Sequence, residues 1–375
     1  MPTAEAFEPC WDVGVFRLPM SSPADTSGVR DLMQLGILNP AEIVAIMAQT
    51  EGDGYARGYA SLSLQLLLGE ALNLSPQAVF ERIPMMMIGL CGGMMSPHLT
   101  LWTKKRVQRP IADSPPKRLA VGVAQTRPLL PEEYGTPLQV ELVAAAVQSA
   151  IAAAEIAELG DVHCVEIKCP AMTVDRLADA AARSVSVVSR NLTQASSFSK
   201  AASALGVAVA LQEVEASQIH QAVINQDPTL FTRKGSVSAG GEQSACRVLV
   251  LGNSTTSVSR YQIGSGVMQD QLDLSGIHEA LTTAGLAPPL TTAQQARITQ
   301  VLINCGADAV SQVRGRRHTI HSDFLAGYAG IQAKAVAHAI VASVVGDPLI
   351  LASAGAEHQG SPGSNLIAAI VQMEE

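Results

Sequence analysis

The 375-residue chain has few aromatic residues, no surplus of positive charge and no long apolar run. Aromatic residues make up 3% of the chain and its formal net charge is −8. A nucleic-acid surface needs clustered lysines and arginines interleaved with aromatic rings, so this composition argues against one. No apolar stretch reaches the ~18 uninterrupted residues of a membrane helix. We therefore predict no nucleic-acid partner and no membrane association.

The sequence also lacks the spacings that accompany disulfide scaffolds, signal peptides and nucleotide sites. None of its six cysteines forms a CxxC pair, which favours a reduced protein over a disulfide-bonded one. The first residues, MPTAEAFEPCWDV, have neither the basic start nor the apolar centre of a signal peptide. The stretch GLCGGMM lacks the lysine of a phosphate-binding loop. We expect a cytoplasmic protein.

What the chain does contain is a pattern that occurs three times. Three strand-like runs share an apolar core and a polar end: EIVAIMAQTEG (42–52), HCVEIKCPAM (163–172) and ITQVLINCGAD (298–308). An alanine-rich helical segment follows each run, at 56–69, 199–211 and 331–346. A second apolar strand beside a glycine-rich turn follows each helix. In the second repeat the order looks reversed, with the turn at 236–242 before the strand at 246–252.

Repetition at this scale indicates units of one design that pack together. We predict an α/β fold of three similar units around a pseudo-three-fold axis, with one central site shared by all three. The predicted units are 1–106, 118–253 and 264–375. Two stretches rich in Pro, Ser, Gly or charge, 107–118 and 254–266, are interpreted as linkers.

Equivalent positions of the repeats carry different side chains. The first strands end at Gln49, Lys168 and Asn304. The helices begin with Arg57, Lys200 and Ile331. The second turns carry Ile88, Ser238 and Ser353. The second unit alone combines a lysine, a basic residue and a serine, so we expect the chemistry there.

Two interpretations of Lys168 and Ser238 compete. Lys168 is either a solvated strand end or an active-site amine, and Ser238 is either an ordinary loop serine or a nucleophile that this amine activates. A lysine acts as a base only when neutral, and burial or nearby cations lower its pKa. Arg57 and Lys200 would lower the pKa of Lys168 while Glu166 would raise it, and the sequence leaves the net direction open.

The chain resembles the cyanuric acid hydrolase/barbiturase family of ring-opening amidohydrolases. The resemblance rests on stretches spread over the whole chain: VFRLPMSSPADTSGV, AEIVAIMAQTEGDGYARGYA, SPHLT, SKAASALGVAVA, SVSAGGE, QVRGRRHT and ASVVGDPLILASAGAEHQG. It implies a fold with pseudo-three-fold symmetry, a central site and a homotetramer. Members contribute a Lys, an Arg and a Ser from each unit, and the catalytic pair falls on Lys168 and Ser238.

The resemblance also implies a substrate-binding set around a small cyclic amide. That set is Arg57, Lys200, Ser353, Gly240, Ala239, Ala354, Gly355 and Arg314. Glycines beside Ser238 offer backbone N–H groups that could hold an oxyanion. Gln49, Ile88, Asn304 and Ile331 depart from the family pattern. Cyanuric acid is flat and three-fold symmetric, so these departures predict a less symmetric ring, such as a barbiturate, lactam or imide with a hydrocarbon substituent.

We predict no cofactor. A structural divalent metal near 357–363 would fit the resemblance, but its acidic ligand in the third unit falls on Gly306. The stretch RRHTIHSD offers His318, His321 and Asp323, which we interpret as a polar turn that positions Arg314 rather than as a metal site.

Three functions remain open at this level. The first is hydrolysis of a cyclic amide or imide by the Ser238–Lys168 pair. The second is lactone hydrolysis, ring closure or isomerisation in the same pocket. The third is a non-catalytic homologue that binds a small ring compound.

Overall fold

The computed structural model describes residues 6–52, 54–306, 309–322 and 327–374. The first unit consists of β1 (Phe7–Pro19), α1 (Ser27–Gln34), β2 (Ile43–Gln49), α2 (Gly54–Leu72), α3 (Pro76–Arg82), β3 (Met85–Ile88) and β4 (His98–Pro110). Its strands form one sheet in the order β1-β4-β2-β3. Strands β2 and β3 are parallel, while β4 is antiparallel to both of its neighbours.

The second and third units repeat this arrangement. The second has β5 (Arg118–Gln125), α4 (Pro137–Ala153), β6 (Val162–Pro170), α5 (Val174–Ala182), α6 (Leu192–Ala210), β7 (Gly235–Gly240) and β8 (Arg247–Ser254). The third has β9 (Tyr261–Met268), α7 (Leu274–Thr283), α8 (Thr292–Gln295), β10 (Ile298–Cys305), β11 (Gln312–Val313), β12 (Arg316–Arg317), α9 (Ala329–Val345), β13 (Leu351–Ala354) and β14 (Asn365–Gln372).

The strand order is the same in all three sheets. The second sheet runs β5-β8-β6-β7 and the third runs β9-β14-β10-β13, so each unit orders its strands first, fourth, second, third. In each sheet the second and third strands are parallel and joined through a helix. This identity of topology confirms the prediction of three similar α/β units.

Two details of the sequence interpretation are wrong. The second unit is not reversed: the supposed turn at 236–242 is mostly strand β7, the counterpart of β3 and β13, and the apolar run after it is the fourth strand. The supposed linker at 254–266 is strand from Tyr261 onward. Both errors come from glycine and serine, which resemble a turn in sequence but lie here in buried strands.

Each sheet is buried on both faces. One face packs against the helices of its own unit, giving a separate apolar core in each. The other faces meet in a shared core with residues from all three sheets, including Trp102, Leu251 and Ile370. The low aromatic content fits this close packing. At Gly122 an added Cβ would lie 1.8 Å from the carbonyl oxygen of Ala150 in α4.

Local signals explain where the helices begin and end. The side chains of Ser75, Thr136 and Asn191 accept hydrogen bonds from backbone N–H groups in the first turns of α3, α4 and α6. Helix α9 ends at Gly346, whose φ of +76° is left-handed. The six cysteines are free. Within the described ranges, no helix is both long and apolar enough to cross a bilayer.

Candidate active site

The ends of the parallel strand pairs bring the predicted positions together. Lys168 lies opposite Ser238 in the pairing of β6 with β7. Gln49 lies opposite Ile88, and Asn304 lies opposite Ser353, in the matching pairs of the other sheets. The structure therefore confirms that these positions correspond in the three units, and it places a lysine and a serine side by side only in the second.

Lys168 is a buried amine in contact with Ser238. Its Nζ lies 3.2 Å from Ser238 Oγ and 3.2 Å from the carbonyl oxygen of Met87, on strand β3 of the first unit. The residue is 2% exposed, so it is not a solvated strand end. Burial lowers the pKa of Lys168, opposed by the carboxylate of Glu242 and assisted by the Arg57 guanidinium. Burial therefore decides the direction that the sequence left open.

Glu166, two residues before Lys168, has a smaller influence on this amine. Its effect on the pKa of Lys168 is weaker than those of Glu242 and Arg57. Burial raises the pKa of Glu166 itself to about 7, opposed by the nearby Ser236 hydroxyl and by the Cys164 thiol, which lies 3.7 Å from Glu166 Oε1. A carboxyl group that is partly neutral near pH 7 raises the pKa of a neighbouring amine only slightly.

The pair opens into a cavity of about 430 Å³ between the units. Predicted site residues that line this cavity are Arg57, Lys168, Lys200, Ser238, Ala239, Ser353 and Ala354. They come from all three units, as a shared central site requires. Ile88 and Ile331 line the same cavity and give it an apolar portion.

Three predicted binding residues lie elsewhere. Gly240 ends β7, and its carbonyl oxygen accepts hydrogen bonds from the backbone N–H groups of Ala171 and Gln243. Gly355 is buried behind the cavity wall, where its carbonyl accepts a hydrogen bond from the Asn304 side chain. Arg314 lies on the exposed turn between β11 and β12, paired with Asp270 at 2.8 Å. The structure does not bring Arg314 together with the other site residues.

A further cation, Lys334, lines the cavity and was missed in the sequence. It lies in α9, is 4% exposed, and its Nζ donates a hydrogen bond of 2.7 Å to the carbonyl oxygen of Gly89. Burial lowers its pKa. Besides Lys168, the cavity thus receives one basic helix residue from each unit: Arg57, Lys200 and Lys334.

Helix phase shows that Lys334, rather than Ile331, corresponds to Lys200. Lys200 precedes the left-handed Gln212 by 212 − 200 = 12 positions, and Lys334 precedes the left-handed Gly346 by 346 − 334 = 12. In both helices, and in α2 counted from Arg57, the residues three, four and seven positions later are buried. Ile331, the residue that the sequence placed at this position, lines the cavity together with Lys334. Counting back from the helix end would have found Lys334.

The basic residue of the second unit is held by an acid of the third. Lys200 Nζ lies 2.5 Å from Glu357 Oε1, and the Ser197 hydroxyl donates to the same oxygen. Burial would raise the pKa of Glu357, but the Lys200 ammonium and the Ser197 hydroxyl lower it below its ordinary value. Lys200 is therefore oriented at the cavity wall by a charged partner.

Gln49 and Asn304, at the strand ends of the other two units, form hydrogen bonds with backbone groups. Gln49 accepts a hydrogen bond of 2.8 Å from the backbone N–H of Ala352, and its amide nitrogen lies 2.8 Å from Cys91 Sγ. Asn304 donates to the carbonyl of Gly355 at 2.9 Å. These amides tie strands together, so Lys168 remains the amine that faces a serine.

In the described part of the chain, Gly306 and the stretch 357–363 supply a single carboxylate, that of Glu357, where a divalent metal was considered. Gly306 offers no carboxylate, its backbone N–H bonds to Asn365, and Glu357 is already paired with Lys200. Among the described residues, no three His, Cys, Asp or Glu side chains converge on one point. The rings of His318 and His321 lie 5.8 Å apart, and Asp323 of the same stretch lies outside the described residues.

Comparisons with known proteins place the chain among related sequences. Residues 14–372 match the family model described as amidohydrolase ring-opening protein. A cyclic amide hydrolase of Azorhizobium caulinodans is 42% identical over 366 residues, covering 96% of this chain and 99% of the relative. A cyanuric acid amidohydrolase of Enterobacter cloacae is 38% identical over 367 residues, covering 96% of this chain and 98% of that protein.

Solved structures show the same similarity in three dimensions. One, a cyanuric acid hydrolase described as an innovation by structural concatenation, superposes with a TM-score of 0.89 at 37% identity. The match covers 97% of this chain and 100% of that one. A cyanuric acid hydrolase from A. caulinodans gives a TM-score of 0.86 at 33% identity, with the same coverage.

Proposed function

The chain belongs to the family of ring-opening amidohydrolases, and from this premise we propose that it hydrolyses a C–N bond of a cyclic amide or imide. Ser238 is the nucleophile and Lys168 is the general base. One observation carries the proposal: the buried Lys168 amine lies 3.2 Å from Ser238 Oγ in a cavity that cations from three units surround.

Lys168 acts first as a base. A serine hydroxyl attacks a carbonyl only when a base takes its proton. Burial lowers the pKa of Lys168, which favours its neutral form, and the 3.2 Å contact is within proton-transfer range. Ser238 Oγ then bonds to the ring carbonyl carbon. Backbone N–H groups at the end of β7, next to Ala239, are candidates to stabilise the resulting oxyanion.

Ring opening and acyl transfer to water complete the reaction. When the tetrahedral intermediate collapses, the C–N bond breaks and the protonated Lys168 gives its proton to the departing nitrogen. That nitrogen stays attached to the acyl group, because the substrate is a ring. Water then attacks the ester on Ser238 while Lys168 again accepts a proton. When the bond between the acyl carbon and Ser238 Oγ breaks, Lys168 returns this proton to Ser238 Oγ and the carboxylic acid leaves.

The cations around the pair would hold the other carbonyls of the ring. Arg57 can form two parallel hydrogen bonds to one acceptor, whereas Lys200 and Lys334 act as compact point charges. Ser353 adds a hydroxyl from the third unit, and Ile88 takes the place of the serine in the first. We therefore propose a ring with fewer polar groups than cyanuric acid, such as a barbiturate, imide or lactam.

The experiment is a turnover panel that contains cyanuric acid, barbituric acid, imides, lactams and lactones, followed by ring absorbance and mass spectrometry. Native protein runs beside Ser238→Ala, Lys168→Met and the control Ser149→Ala, whose exposed serine lies in α4. We expect one cyclic amide to gain a single water, with native activity in the control and more than ~10³-fold loss in both site variants.

Other outcomes would assign another function. Turnover of a lactone alone would make the protein a lactone hydrolase. A product of unchanged mass would indicate isomerisation, and ring closure of the open product would indicate a cyclase. Tight binding of a ring without turnover would leave a non-catalytic binding protein. Each of these would contradict the proposed hydrolysis of a cyclic amide.

A further inference from the structure

A second cavity, of about 400 Å³, adjoins the active-site cavity on the side of the first unit. Arg57 and Met87 line both cavities, so the two meet at the Arg57 side chain. The second cavity, which we call the annex, is formed by α2, α3, β3 and Glu242 of the second unit. No step of the proposed reaction uses it.

The inner wall of the annex is apolar and preformed. Met85 and Met87 are 2% and 4% exposed, and Phe80 is half-buried beside them. The Arg247 guanidinium lies 5.2 Å from the Phe80 ring centre and donates a hydrogen bond to the carbonyl of Glu81. Phe80 is thus held in place by a residue of the neighbouring unit, so an apolar group can bind without rearranging this wall.

The outer part of the annex is polar. Gln65 donates to Ser61 at 2.8 Å and Gln77 donates to Glu81 at 2.9 Å, and each amide has further hydrogen-bonding capacity. The exposed Glu242 carboxylate also lines the annex. A site with apolar walls and a few polar groups at one end is typical of small-molecule binding, and ~300–1,000 Å³ is the usual size.

We propose, building on the hydrolase function above, that the annex binds a substituent of the substrate ring. The ring lies at Lys168 and Ser238, and its substituent passes Arg57 into the annex. The substituent has an apolar stem, which contacts Phe80 and Met85, and ends in a neutral hydrogen-bonding group near Gln77. The annex makes the enzyme selective for substituted over bare rings.

Gly58 permits a direct test. It lines the annex, and a Cβ added there would meet no atom within 4 Å. Gly58→Leu would narrow the annex, while Gly58→Ala removes the same helix glycine without filling it. Both substitutions favour the helix, since glycine costs ~1 kcal/mol relative to alanine inside one. Loss of folding is therefore not expected in either variant.

The probes are barbituric acid and its pentyl and 5-hydroxypentyl derivatives, substituted on nitrogen or on carbon. We expect native protein and Gly58→Ala to prefer a 5-hydroxypentyl ring over the bare ring by at least ~10-fold in kcat/KM, since even one methylene group is worth ~10-fold in an apolar pocket. Gly58→Leu should lose most of that ratio. Equal kcat/KM for bare and substituted rings in native protein, or an unchanged ratio in Gly58→Leu, would overturn the proposal.

A binding measurement separates this proposal from the catalytic one. The same rings are titrated calorimetrically into Ser238→Ala, with and without Gly58→Leu. One outcome is that native protein turns over no ring, while Ser238→Ala binds the substituted ring at least ~10-fold more tightly than the bare ring and Gly58→Leu removes this difference. That outcome would support the annex proposal and contradict the hydrolase mechanism. If bare rings are turned over and bind as well as substituted ones, the mechanism holds and the annex proposal fails.

Discussion

Replacing Lys334 by methionine tests whether the third unit supplies a cation to the substrate. Methionine keeps a similar length and volume but cannot donate a hydrogen bond. In the structure Lys334 Nζ donates a hydrogen bond of 2.7 Å to the Gly89 carbonyl, and the residue lines the cavity. A ring carbonyl placed there can accept a hydrogen bond from the same ammonium group. The change removes one charged donor and leaves the cavity walls intact.

The magnitude follows from the type of bond. A hydrogen bond from a charged donor contributes ~1.5–3 kcal/mol. Because ~1.4 kcal/mol corresponds to a tenfold change, kcat/KM should fall about 10- to 150-fold. Burial lowers the pKa of Lys334 because it penalises the charged form. Methionine removes this penalty together with the hydrogen bond, so the melting temperature should change little.

The assay is steady-state ring opening of the substrate that the panel identifies, with melting temperature measured in parallel. Lys334→Arg, which keeps a cation, and Ile331→Ala, at the position that the sequence favoured, are the matched controls. Both should retain most of the native kcat/KM. Native activity in Lys334→Met together with a large loss in Ile331→Ala would refute the assignment of Lys334 as the counterpart of Lys200.

Further predictions concern pH, the Lys200 ion pair and packing. Since Lys168 must be neutral and burial lowers its pKa, kcat/KM should rise with pH through a midpoint below 10.5. Glu242→Gln should move that midpoint to lower pH, because the Glu242 carboxylate raises the pKa of Lys168; a shift to higher pH would contradict this. Lys200→Met leaves the Glu357 carboxylate without its ion-pair partner, so it should lower the free energy of unfolding by about 1–3 kcal/mol in urea titrations. The loss should be smaller than for a fully buried pair, and an unchanged free energy would contradict a stabilising ion pair. Gly122→Ala should lower it by at least ~1–3 kcal/mol, and an unaltered urea midpoint would contradict the close helix–sheet packing.

Much of the architecture is readable in the sequence, because repetition carries information that single segments do not. The three strand-like runs share an apolar core and a polar end, and the structure places those ends in equivalent parallel pairs. The wrong assignments occur where the residue types suggest a turn but the pairing of the strands imposes an extended segment. Strand β7 consists of small residues and looks like a turn, yet hydrogen bonds to β6 along one whole edge hold it extended.

The candidate site was predictable in part for the same reason. Lys168 and Ser238 are identifiable from their repeat-equivalent positions, although the sequence placed Ser238 in a turn rather than in strand β7. Lys334 was not identifiable, because helix starts vary between the repeats, and the spacing of 12 to a left-handed residue is shared by α6 and α9 but not by α2, where Asn73 follows Arg57 by 73 − 57 = 16 positions. The depth of burial of Lys168, which decides the direction of its pKa, depends on packing among three units that lie far apart in the chain. The annex likewise depends on residues from α2, α3 and the second unit.

The most direct test of the central claim is the single-turnover rate of ring opening by Ser238→Ala compared with native protein. It is measured with enzyme in excess, at a pH above the kinetic midpoint, so that Lys168 is neutral in both. We predict a rate at least ~10³-fold lower, because among the described residues Ser238 supplies the hydroxyl in contact with Lys168. A Ser238→Ala rate within tenfold of native would contradict nucleophilic catalysis by this serine.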